Sequence, residues 1–75
     1  MRSLHEITTE IKKLWDPMSP YARPYFNVML ELESIEDRYM YDSGKSIVLY
    51  FLANAGGWRG EDAKRIKKEL KEMCK

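Results

Sequence analysis

Gly44-Lys45-Ser46 has the composition of the closing half of a phosphate-binding loop, and an apolar run from Ile47 to Ala53 follows it. In such a loop a turn of backbone amides cradles the phosphates, a lysine reaches them, and a hydroxyl meets the magnesium ion. The turn needs a glycine five residues before the Gly-Lys pair, and Tyr39 stands there. No strand leads in, and 75 residues are too few for a nucleotide-hydrolysing sheet. The tripeptide therefore reads as the capped start of a helix. Anion binding at its free amides, aided by Lys45, is the lesser option.

The remaining reactive groups have no assembled partners. His5 is the one histidine and Cys74 the one cysteine. A disulfide framework and a cysteine-rich zinc site are thereby excluded, and a lone thiol fits a reducing cytosol. Cys74 stands beside Lys75 and is expected on a frayed end without a fixed base. His5 reads as a surface residue. Glu33, Glu36 and Asp37 could gather round a divalent cation, but they lack the glycine turn of a calcium loop, so a solvated acidic turn is expected. The expectation is a non-catalytic chain with no cofactor and no metal.

Binding is better represented. Trp58-Arg59 lies between Gly56-Gly57 and Gly60, a hinge between two helices. There Trp58 either plugs the core, with Arg59 capping helix carbonyls, or presents a recognition corner. Trp and Arg are enriched in binding hot spots, and Tyr39, Tyr41 and Lys45 could line the same corner if the preceding helix folds back. A second candidate surface is basic. Lys64, Arg65 and Lys68 on the last helix, with Lys45 and Arg59, could meet a nucleotide or nucleic acid. Against it, glutamates interrupt the lysines, and the isoelectric point of 7.8 falls short of the value near 9 typical of such domains.

Four helices are expected to position these residues. Leu4, Ile7, Ile11 and Leu14 form the seam of a first helix from about Ser3 to Trp15, with Ser3 and Glu6 as a capping box. Asp16-Pro17 ends it. A second helix starts between Ser19 and Arg23, either after a short turn or with a first turn distorted by Pro24. It carries Tyr21, Tyr25, Val28, Met29 and Leu32 on one face, widened by Phe26 and Leu30. Ser34 could cap a short piece after it. The apolar run is either a buried strand or a helix. Every other apolar segment has helical period and a lone strand has nothing to pair with, so a central apolar helix over about 44–55 is expected, with glycine at its left-handed stop. The fourth helix runs from Gly60 to Met73 with Ala63, Ile66, Leu70 and Met73 as its stripe. Glu61 and Arg65 form an i,i+4 pair on it.

The expected fold is a single all-α domain over residues 1–75, a small bundle of about four helices around the apolar one. Its nine aromatic residues exceed the needs of so small a core, so some are expected at the surface or in a homodimer interface. Charge is uneven. Residues 31–42 carry five acids and one base, whereas residues 59–75 carry seven bases and four acids. Pairing of these segments within the fold, or between protomers, is expected. The N-terminal stretch lacks the apolar core of a signal peptide, and no run approaches the ~20 residues of a membrane span. A cytoplasmic chain is expected.

Tyr21-Ala22-Arg23-Pro24-Tyr25, Ser43-Gly44, Tyr50-Phe51-Leu52 and Trp58-Arg59-Gly60-Glu61 carry a resemblance to small accessory proteins of phages and conjugative elements of Gram-positive bacteria. It spans about two-thirds of the chain. The resemblance implies stoichiometric binding: blocking a host defence complex, sequestering a signal nucleotide or adjusting a regulator. The expected function is thus a small protein-binding protein, with nucleotide or nucleic-acid binding as the alternative.

Overall fold

Ser3 opens the first helix as its spacing from Glu6 predicts. The Ser3 hydroxyl accepts from the Glu6 amide at 3.1 Å and the Glu6 carboxylate accepts from the Ser3 amide at 3.3 Å, so two otherwise orphaned donors are satisfied together. The computed structural model describes residues 2–39 and 42–74. Helix α1 spans Leu4–Leu14 and buries Leu4, Ile7, Thr8 and Ile11. Leu14, expected on this seam, is 41% exposed. At 100° per residue the stripe through 4, 7, 8 and 11 continues to Trp15, not to Leu14. Thr8 takes the place a hydrophobe would fill, its hydroxyl donating to the Leu4 carbonyl at 2.7 Å.

Helix α2 spans Arg23–Glu31. A short turn precedes Pro24, the first of the two options: the Ser19 carbonyl accepts from the amides of Ala22 and Arg23, so proline sits where no helical bond is lost. Tyr21 belongs to that turn. It is 76% exposed, not on the buried face. Phe26, Met29 and Leu32 do point inward.

The connection after α2 is organised by Asp37. Its carboxylate accepts from the amides of Glu33 and Ser34, and its carbonyl accepts from the Gly44 amide at 2.7 Å. A minimal antiparallel ladder, β1 (Arg38–Tyr39) on β2 (Asp42–Ser43), brings the chain back. Helix α3 spans Gly44–Ala53 with Ser43 as its cap, the Ser43 hydroxyl accepting from the Ser46 amide at 3.2 Å. The capped-start reading of Gly44-Lys45-Ser46 is what the structure has.

The expected glycine stop is replaced. Asn54 ends α3 by donating its side-chain amide to the Tyr50 carbonyl at 2.8 Å, which satisfies a terminal carbonyl without left-handed backbone. The unusual backbone lies instead at Gly60, with φ of 113°, a region open essentially to glycine alone. Gly60 precedes α4 (Glu61–Met73). Cys74 is buried, not frayed: its thiol lies 4.0 Å from the Lys45 carbonyl, and burial pushes its pKa up against a smaller opposing effect of Lys45.

The chain is all-α, with four helices among the described residues packed around one core. Each packs on two others: α1 on α2 and α4, α3 on α2 and α4. Ile7, Ile11, Phe26, Met29, Val48, Phe51, Ile66 and Leu70 fill the middle. No helix among the described residues is long and apolar enough to cross a membrane.

Candidate functional site

Trp58 is in the core. It is 6% exposed and stacks on Trp15 with ring centroids 5.3 Å apart and planes 7° from parallel. Trp15 meets Phe51 edge-on at 6.0 Å, so the hinge indole is the last layer of an aromatic stack. Such geometry adds ~0.5–1.5 kcal/mol per pair to simple burial. The plug reading of Trp58 holds, and the ring offers no open platform to a partner. Arg59 beside it is exposed. The basic group that caps this hinge is Lys67, whose ammonium donates to the Trp58 carbonyl at 2.6 Å. Desolvation, then repulsion from Lys71 and Arg59, lowers the Lys67 pKa.

The proposed corner does not assemble. The Cys74 contact puts Lys45 at the C-terminal end of α4, whereas Arg59 precedes its N-terminal end. Thirteen residues of helix separate the two by about 20 Å. Tyr39 lies in β1 opposite Asp42, near Lys45 in the chain and far from Arg59. Tyr41 lies outside the described residues.

The basic face is likewise divided. Lys64 and Lys68 are exposed, but Arg65 is committed to carboxylates. It pairs with Glu10 at 2.9 Å and Asp62 at 3.3 Å, not with Glu61 as its spacing suggested. Arg2 completes the set, bonding Glu10 at 2.6 Å and Glu69 at 2.7 Å. Hydrogen bonds from Arg65 and then Arg2 push the Glu10 pKa down to about 2. Arg2 lowers that of Glu69. The Arg65–Glu10 and Arg2–Glu69 pairs thus tie α1 and the residue before it to α4, and none of these four ion pairs joins residues 31–42 to the basic helix. The shallow hollow beside them, lined by Arg2, His5, Glu10 and Lys13 among others, has two of its charges already neutralised.

What the fold leaves open is an apolar surface. In α3, Ile47, Val48 and Phe51 turn inward, which sends Lys45, Leu49 and Ala53 outward at i, i+4 and i+8. Leu49 is 46% and Tyr50 50% exposed. Tyr50 stacks on Tyr25 of α2 at 5.5 Å, and Tyr21 stands exposed one turn earlier in the chain. The sequence did signal this face: a helix without a polar side either is enclosed or meets something. Trp58 lies apart from it in the core, and composition alone cannot tell a buried indole from an exposed one.

No protein-family model, curated protein or solved structure matches this chain.

Proposed function

We propose that this protein acts by stoichiometric protein–protein binding through the outer side of α2 and α3, without catalysis. The exposed Leu49–Tyr50 pair, braced by Tyr25, carries this reading. Tyrosine supplies wide, rigid contact area at small conformational cost, and a stacked ring is already held in one place, so little order remains to be imposed on binding. Stoichiometric binding is also what the resemblance to mobile-element accessory proteins implies. The alternative, nucleotide or nucleic-acid binding by α4, has less behind it, since Arg65 is engaged with Glu10 and Asp62.

Leu49→Asp and Tyr50→Ala test the reading. Both positions are half-exposed, so the fold should survive either change, with Tyr50→Ala giving up the Tyr25 stack at a cost of about 0.5–1.5 kcal/mol. Wild-type protein immobilised as bait should retain a partner at a fixed molar ratio, and Leu49→Asp should lose it. A folded Leu49→Asp variant that retains the same partner at the same ratio sinks the proposal.

A further inference from the structure

We infer that one flank of α4 is a row of cations that holds the phosphate backbone of duplex nucleic acid without regard to sequence. It is a second surface and stands independently of the protein-binding reading above. In chain order, glutamates interrupt the lysines of α4. Around the helix axis they do not. At 100° per residue, Lys64, Lys67 and Lys71 fall within about 60° of one another, whereas Glu61, Asp62, Glu69 and Glu72 all fall within about 60° of Arg65. The Arg65 flank is the one tied to Glu10 of α1, so the acids gather there and Arg65 has no part in the row. The fold extends the row at both ends. The Lys67 ammonium lies 2.6 Å from the Trp58 carbonyl, which brings it beside the exposed Arg59. Lys45 stands at the other end, near Cys74. After desolvation, repulsion from Lys71 and Arg59 lowers the Lys67 pKa, so these three charges are close enough to oppose one another. None of the four described ion pairs includes Lys45, Arg59, Lys64, Lys67 or Lys71. The isoelectric point of 7.8 averages this row with acids placed elsewhere.

The row lacks what other occupants ask for. The exposed large hydrophobics among the described residues, Leu14, Tyr21, Leu49 and Tyr50, all lie outside α4 and its hinge. A protein interface is built round such anchors, whereas a phosphate backbone asks only for donors and positive charge. Single strands are held on exposed aromatic platforms, and the hinge indole is buried. Lysine offers a compact charge on a flexible stem, suited to phosphates and not to the paired bonds that read a base. A duplex carries one negative charge per ~1.7 Å of its axis, so a row about 20 Å long passes several phosphates in any register. A flat anionic membrane would press on Glu61 at the edge of the row as well.

Fluorescence anisotropy of a labelled 20-base-pair duplex of arbitrary sequence, titrated with the full chain, tests this. With about four phosphates engaged, affinity should fall about a hundredfold between 50 and 200 mM salt. Lys64→Gln combined with Lys71→Gln should weaken binding at 50 mM salt about tenfold or more and reduce the salt slope by about two. Both side chains are exposed, so the double variant should melt as the wild type does. Lys12→Gln combined with Lys13→Gln removes the same charge from α1 and should leave binding nearly unchanged. No binding at 50 mM salt with protein up to about 100 µM, the weak end of non-specific affinities, overturns the inference. So does equal weakening by the two double variants, which would report net charge alone. Tighter binding to the single strand, or to vesicles containing anionic lipid, overturns the assignment to duplex.

Discussion

Gly44 sits where a side chain has no room. A Cβ there would lie 2.6 Å from the Ile35 carbonyl oxygen and 3.0 Å from that of Asp37. Both are backbone atoms that cannot swing aside. Gly44→Ala should therefore destabilise the fold by about 1–3 kcal/mol, the range for forced overpacking, whereas Gly57→Ala should be neutral or stabilise by up to about 1 kcal/mol. Urea denaturation of the two variants makes the comparison. Trp58 is the opposite case, a residue whose loss leaves a void under the Trp15 ring. Trp58→Ala should cost about 3–5 kcal/mol, a large part of the roughly 4–11 kcal/mol expected for a chain this long. Its Tm should fall steeply. Loss of binding in that variant would accordingly report unfolding, so a binding test belongs at Leu49 and Tyr50.

Helices α1 and α4 were legible because their signals are local: a capping box at Ser3 and Glu6, acids at Glu61 and Asp62, and an apolar stripe on each. Helix α3 was legible by exclusion, since its composition suits a buried strand as well and the chain offers no strand for it to pair with. Its end was not, because Asn54 and Gly56-Gly57 are both good stop signals, and which one acts depends on a side-chain bond to Tyr50. The β1–β2 ladder escaped notice because two residues have no period. The ion pairs between α1 and α4 join residues 55 and 67 positions apart, a distance no local pattern encodes. They have a pH signature. Glu10 is held near 2 against its ordinary 4.5, and Glu69 is lowered too. A carboxylate depressed in the folded state contributes stability that is whole above its unfolded pKa and is lost as pH falls through the folded one. Wild-type Tm should thus hold from neutrality to about pH 5 and drop between 4.5 and 2. Glu10→Gln should start lower, by about 1 kcal/mol or less for a solvent-facing pair, and show a shallower fall. Salt should narrow the difference.

Viewed whole, the molecule is a closed ring of four helices. Three of its contacts join elements consecutive in the chain, α1 with α2, α2 with α3 and α3 with α4, and one closes the ring between α1 and α4. The candidate surface lies on the α2–α3 side of that ring, and the bonds of Arg2 and Arg65 lie at the closure between α1 and α4, so substitutions at one should add to those at the other. The closure also has a place in time. Forming it requires ends far apart in the chain to meet before any contact between them rewards the lost entropy, whereas the three sequential contacts need only short connections. Docking of α4 on α1 should accordingly follow the rate-limiting step of folding. In stopped-flow chevrons, Glu10→Gln should raise the unfolding rate and leave the folding rate nearly unchanged. The salt bridges at the seam of the ring would then lengthen the life of the native state, by up to about fivefold, without changing how quickly it is reached.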